Sequence, residues 1–221
     1  MGVGDMKGFG NLLAGYLRFR SNRFESERPR WRELAEGQTP RAIIIACCDS
    51  RADPATIFDT DPGEIFVVRN VANLVPPFEP DGGRHGVSAA LEFAVTQLKV
   101  PEIVVMGHER CGGIAAALTG CFHEAAPGEG GFVARWMSQI DERAGAISAE
   151  HGTGPEAAHL LEEDAIRQSL ANLRTFPFVK AREDAGELAI IGCRFSIAEG
   201  QLTMLDEAAD RFEPVTEATS T

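Results

Sequence analysis

The sequence predicts an α/β fold: a mostly parallel central sheet of four parallel strands plus a C-terminal antiparallel strand, flanked by helices and preceded by an N-terminal helical arm. Three observations predict it. Short runs rich in β-branched apolar residues recur at 41–46, 65–68, 101–107 and 188–192, and continuous apolar strands belong to sheets covered on both faces. Segments with helical apolar spacing fall between the first three, and that alternation implies right-handed crossovers and parallel pairing. Last, Ala198-Glu199-Gly200 reads as a hairpin turn into 201–205, which reverses the final strand.

Taken in order, 9–24 carries Leu12, Leu13, Tyr16, Leu17 and Phe19 near helical spacing, with Arg18, Arg20 and Arg23 between them, an amphipathic arm. Ile43-Ile44-Ile45-Ala46 follows as a buried strand, 53–58 as a short helix, Asp61-Pro62-Gly63 as a turn and 65–68 as the second strand. Ala90, Leu91, Ala94, Val95 and Leu98 give 87–98 a helical period. Pro101 opens the third strand, and 112–118 starts the next helix. Residues 128–131 read as a loop, and 133–140 and 163–176 as helices. The polar end, 213–221, is expected to fray. The chain is read as one domain, 1–221, with an arm (1–35), a core (36–207) and a tail (208–221).

Composition bounds the function. At 221 residues, 44% hydrophobic and 24% charged, the chain suits one globular domain with an ample core. A net charge of −12 opposes general affinity for nucleic acid or anionic membrane. No apolar run approaches the roughly 20 residues of a membrane helix, and Met1-Gly2-Val3-Gly4-Asp5 lacks the layout of a secretory signal. Five cysteines, an odd number, favour metal binding or inert burial over a disulfide framework, so a reducing, cytoplasmic setting is expected.

The chemistry sits in two clusters, Cys47-Cys48-Asp49-Ser50-Arg51 and His108-Glu109-Arg110-Cys111, each just after a predicted strand. Carboxyl ends of parallel strands are where ligands gather, and thiolates with imidazole suit zinc. His108 and Cys111 are three apart at a helix start, and Cys47 arrives from the first strand. No fourth Cys or His is evident, so an open, catalytic coordination is expected rather than a closed structural one. Strand alternation turns Cys48 away from Cys47, toward the core. Asp49 and Arg51 share the face of Cys47, and the guanidinium keeps the carboxylate ionised. Asp49 is then a water positioner and proton acceptor. The competing reading, a turn cap and routine ion pair, is disfavoured beside three metal-type ligands.

These residues resemble the β-class carbonic anhydrases. Cys47-x-Asp49-x-Arg51 and His108-x-x-Cys111 are the paired motifs, with Arg69-Asn70-Val71-Ala72-Asn73 and Gly107 through Gly113 matching the stretches beside them. The match is dense from about Gln38 to Leu118 and traceable in order to about Leu205. The resemblance implies reversible hydration of carbon dioxide to bicarbonate and a proton, through zinc-bound hydroxide on one Zn2+ per subunit held by Cys47, His108 and Cys111, with Asp49 and Arg51 as the acid/base dyad. It also implies a homodimer or larger homo-oligomer whose site is lined partly by the neighbouring subunit. Gln38, Phe66 and Val71 match lining positions of the plant-like subgroup, Phe93 stands where tyrosine is common, and Gly112 follows the last ligand. Another subgroup forms an inhibitory bicarbonate site from a tryptophan and a tyrosine. Ile44 and Phe195 occupy those places here, so that site is expected to be absent or weak although Arg69 remains.

Two other readings stand beside the hydratase: a related zinc hydrolase of carbon disulfide or carbonyl sulfide, and a non-catalytic zinc- or bicarbonate-binding protein. His85, His123, His151 and His159 are expected at the surface, His85 being the best proton-shuttle candidate. Cys121 and Cys193 lack ligand neighbours and are expected to be inert. Gly82-Gly83 and Gly112-Gly113 lack the spacing of a phosphate loop. The arginine-rich stretch up to Arg32 is read as docking onto an acidic partner subunit.

Overall fold

The structure is a computed structural model that describes residues 8–81 and 83–216. The opening pentapeptide, Gly82 and tail residues 217–221 lie outside the described residues. By its internal contacts the chain divides between Gln38 and Thr39 into two units.

In the N-terminal unit, α1 (Phe9–Phe19) runs through a π-helical turn (Arg20–Phe24) before α2 (Arg28–Glu36). The helical arm read over 9–24 is present, and α2 falls within the stretch assigned to the arm up to residue 35, although no helical period marked it as a separate helix. Its sequence, RPRWRELAE, is polar around most of its circumference, and its proline stands in the first turn, where a missing N–H costs nothing. Phe19, Phe24 and Trp31 pack edge to face and tilted, with ring centroids 5.5–6.1 Å apart.

The main unit is built on a six-stranded sheet in the order β2-β1-β3-β4-β5-β6: β1 (Ala42–Cys47), β2 (Ile65–Asn70), β3 (Glu102–His108), β4 (Ala189–Phe195), β5 (Leu202–Asp206) and β6 (Arg211–Pro214). The first four strands are parallel and the last two antiparallel. The sixth strand corrects the expectation of a frayed end from residue 213. Leu205 faces Phe212 across the hairpin, and Val215 N–H donates to the Leu202 carbonyl at 2.9 Å, so ladder bonds hold a segment too polar to reveal itself by hydropathy.

Both sheet faces are covered. Ile43, Ile45, Ile103 and Val105 pack with Leu91, Val95, Ile166, Leu170 and Phe176, while Ile44, Ala46, Val104 and Met106 pack with Ile57 and Phe58. The covering helices are α3 (Pro54–Ile57), α4 (Gly86–Glu92, continued by a π-helical turn to Gln97), α5 (Gly112–Thr119), α6 (Gly131–Met137), α7 (Asp141–His151), α8 (Pro155–Leu173) and α9 (Pro177–Asp184). Helix α8 starts eight residues before the predicted 163, because Pro155 opens it at the first helical turn. It lies so close to β3 and β4 that a Cβ on Gly107 or Gly192 would meet Ile166 at 2.7 or 2.8 Å. It also holds the loop after β2, through Ser169 Oγ to Val75 N–H (3.2 Å) and Asn172 Nδ2 to the Val75 carbonyl (2.7 Å). None of the described helices is long and apolar enough to cross a membrane.

Candidate metal centre

Parallel pairing sets the site. Ala46 lies opposite Met106, so the adjacent strands β1 and β3 end side by side and deliver Cys47 and His108 to one edge. Past His108 the chain turns through Arg110, a non-glycine residue at φ 55°, and places Cys111 at the start of α5. The loop after β2 carries two more left-handed residues, Ala72 (φ 62°) and Asn73 (φ 49°), both buried. Such backbone persists only where surrounding structure imposes it. On Gly113, a Cβ would meet Val71 Cγ1 at 2.7 Å, so the two loops close directly on each other.

The Cys47 and Cys111 sulfurs and a His108 ring nitrogen all lie within 4.8 Å of one another, and all three residues are buried. The sulfurs are 3.8 Å apart, far beyond a disulfide bond. Two thiolates on one tetrahedral zinc, each bonded at about 2.3 Å, would stand about 3.8 Å apart. His108 Nδ1 lies 2.9 Å from the Glu109 carbonyl, which fixes it as the protonated nitrogen, and the buried Nε2 has no hydrogen-bond partner. That arrangement presents a lone pair to a metal.

At 3.8 Å the two sulfurs share one proton. The hydrogen bond from Cys111 pushes the Cys47 thiol down, with burial opposing and His108 assisting, whereas that same contact and burial push Cys111 up. Burial lowers the His108 imidazole, but the Cys47 sulfur and the Glu109 carbonyl outweigh it and the net shift is upward. Both thiols must lose protons to ligate a metal.

Asp49 sits beside this group, Oδ2 being 3.9 Å from His108 Nε2. Arg51 holds both carboxylate oxygens: its backbone N–H and Nε donate to Oδ1 at 2.9 Å, and Nη2 to Oδ2 at 2.6 Å. The backbone bond means that the pair also caps the local turn, as the competing reading had it. Nη2 donates as well to the Arg110 carbonyl (3.1 Å), tying the two motif loops together. These guanidinium bonds hold the Asp49 carboxyl well below the usual range.

Cys48 does not join the core. The strand ends at Cys47, alternation lapses, and Cys48 is exposed. Of the expected lining residues, Val71 packs with Cys47 and Cys111, and Gly112 opens onto free space. Phe66 and Phe93 instead pair with each other at 6.0 Å, Phe93 being 46% exposed. Phe66 lies opposite Ile43, four residues back from Cys47 along the sheet, roughly 13 Å at strand rise. Gln38 belongs to the N-terminal unit, where it is exposed. His123 and His159 are surface residues near Asp141 and Glu163, as expected. Cys193 is buried, and burial pushes its thiol up to about 12, as suits an inert residue, while Cys121 is exposed.

Sequence reasoning missed an ion pair beneath the site. Glu162, on α8, accepts from the Cys111 backbone N–H at 3.3 Å and from Arg194 Nε at 2.9 Å, with both side chains at most 10% exposed. No local signal marks two charges 32 residues apart. Arg69, by contrast, lay within a recognised stretch. It donates to the backbone carbonyls of Cys47 (2.8 Å) and Asp49 (2.6 Å) and pairs with Asp53 at 3.0 Å, so its guanidinium braces the first motif from behind.

A sequence profile described as carbonic anhydrase matches residues 42–202. The carbonic anhydrase of Pseudomonas aeruginosa is 37% identical over 209 residues, covering 94% of this chain and 92% of that protein. Among solved structures, the β-carbonic anhydrase CcaA superposes with a TM-score of 0.87 at 29% identity, covering 96% of this chain and 94% of that one. One of two tetrameric β-carbonic anhydrases from Sordaria macrospora gives 0.78 at 26% identity, with 91% and 98% covered.

Proposed function

Since the chain belongs to the β-class carbonic anhydrases, we propose that it catalyses the reversible hydration of carbon dioxide to bicarbonate and a proton at one zinc ion per subunit. Cys47, His108 and Cys111 would hold that ion. The observation that carries this reading is the buried donor set itself: two sulfurs at tetrahedral spacing and an imidazole nitrogen left without any other partner. When bound, zinc supplies the Lewis acidity that makes hydroxide available near neutrality.

The residues around it orient and exchange protons. Asp49, kept ionised by Arg51, can only accept hydrogen bonds, so it would orient a donor held beside Cys47, His108 and Cys111 and accept its proton. Arg51 fixes that carboxylate from two directions and is itself anchored on Arg110. The Cys47 and Cys111 thiolates would offset a divalent ion's formal charge and so moderate the acidity it could supply, and turnover should accordingly rise with pH above neutrality. The Asp49 carboxylate stands 3.9 Å from the His108 Nε2 that would bind the ion, a placement that turn capping alone does not require and that weighs against a non-catalytic reading.

The lining is completed, in this reading, by a second copy. Phe66 and Phe93 sit too far along the sheet to reach their own chain's zinc ligands, which supports a homo-oligomer, as does the tetrameric state named for the Sordaria enzymes. Gln38, Phe66 and Phe93 would then serve a neighbour's pocket, and Val71 and Gly112 their own. A separate inhibitory bicarbonate site is not expected, because the Arg69 guanidinium is bound to carbonyls and Asp53, and Ile44 is a core side chain. Free thiols as ligands suit a reducing compartment such as the cytoplasm.

The test is stopped-flow hydration of carbon dioxide on protein of measured zinc content. Cys47→Ser and His108→Ala should lose zinc and activity together, whereas Asp49→Ala should keep zinc and lose at least ~100-fold in kcat, within the range for a positioned proton acceptor. A fully zinc-loaded wild type without turnover would overturn the proposal, and an unimpaired Asp49→Ala would overturn the role given to that residue.

A further inference from the structure

A cavity of about 700 Å³ borders the carboxyl end of β2, lined there by Asn70 and Val71 and on its far side by α6 and the turn after it, including Arg135, Trp136 and Gln139. Its volume is that of a small-molecule site. Val71 lines it, as does His85, the proton-shuttle candidate of the sequence, but none of Cys47, Asp49, Arg51, His108 and Cys111 does.

Its charge is out of keeping with its surroundings. Residues 39–221 carry a net −14, and ten of the twelve arginines among the described residues of this unit have a carboxylate within 4.0 Å. The two that do not are Arg84 and Arg135, and both line this cavity. Each presents five N–H donors in a planar fork suited to a carboxylate. Glu79 also lines the cavity, but it and Asp81 converge on His85, their ligand atoms lying within 4.8 Å of one another, so an imidazole answers those carboxylates while the arginines stay unanswered.

The remaining wall is aromatic and fixed. Trp136 Nε1 donates to the Val71 carbonyl at 2.7 Å, which locks the indole against the loop after β2. Phe132, 72% exposed, stands one helical turn away on the same helix. An apolar ring left in water at a charged cavity is the arrangement that receives a flat ligand body.

We propose that this cavity binds a small organic carboxylate with a flat apolar body, its carboxylate held by Arg84 and Arg135 and its body laid against Trp136 and Phe132. The probes are benzoate and its uncharged isostere benzamide, added to the zinc-loaded protein labelled with 5-fluorotryptophan. Trp31→Phe assigns the two fluorine signals, since the chain has two tryptophans. Benzoate should shift the Trp136 signal saturably and benzamide should not. Arg84→Ala and Arg135→Ala should each weaken benzoate by about tenfold, the scale of one charged hydrogen bond. Within the chain both side chains are exposed and without a carboxylate partner, so neither variant should disturb folding, and turnover should be unchanged. Equal binding of benzamide, an unmoved Trp136 signal, or arginine variants that bind benzoate as the wild type does would each overturn the proposal, the last by placing benzoate elsewhere, for instance at the metal.

Discussion

His85 shows how a surface histidine departs from its ordinary titration. Its Nε2 lies 2.5 Å from Asp81 Oδ1, and that hydrogen bond raises the imidazole above its usual 6.5 and lowers the carboxyl. Because the folded pKa is raised, the pair stabilises the fold fully below the unfolded value and loses that contribution as pH climbs through the folded one. Nuclear magnetic resonance titration should find His85 above 6.5 in the wild type and near it in Asp81→Asn; identical curves would refute the pairing. Glu162 is the opposite case, a charge with little access to water. Removing it in Glu162→Ala strands Arg194 and frees the Cys111 N–H, at a cost of roughly 3–5 kcal/mol for breaking a buried pair. Chemical denaturation should show a loss of that size, and the double variant Glu162→Leu with Arg194→Met should recover part of it. No recovery would mean that the charges themselves are not the issue.

At the scale of elements, the close approach of α8 to the sheet is what holds the loops carrying His108 and Cys111 in register. Ile166 fills the space over Gly107 and Gly192, and its burial alone contributes on the order of 2 kcal/mol. Gly107→Ala should cost about 1–3 kcal/mol by forcing the helix outward. It should also loosen zinc, because β3 carries His108 one residue on. Adding Ile166→Val to Gly107→Ala should cost less than the two singles together, a non-additivity expected of residues in contact. Strict additivity in thermal denaturation would show that the clash is relieved elsewhere. Strands β1 and β3 were legible because each buries a continuous apolar run, and β5 because a glycine turn precedes it; β6 and α2 were not, because ladder bonds hold β6 while the side chains of both segments stay wet.

For the whole molecule, charge is divided unevenly. Residues 1–38 carry a net +2 and residues 39–221 a net −14, a contrast that favours contact between the arm of one copy and the body of another. Deleting residues 1–35 should shift sedimentation toward smaller species and lower turnover per zinc, whereas unchanged sedimentation would remove the arm from the assembly. The sequence by itself determined the parallel strands, the meeting of Cys47, His108 and Cys111 and the Asp49–Arg51 pair, since each is written in adjacent residues: apolar runs for strands, short motifs for the clusters. It misplaced Cys48, because alternation holds only while a strand lasts. It left invisible the Glu162–Arg194 pair, the separation of Phe66 and Phe93 from their own site, and the two unpaired arginines of the cavity. Those depend on which distant segments meet in space, and only the tertiary structure decides that, through the packing of α8 on β3 and β4, the register of β2 on β1 and the seating of α6 against the loop after β2.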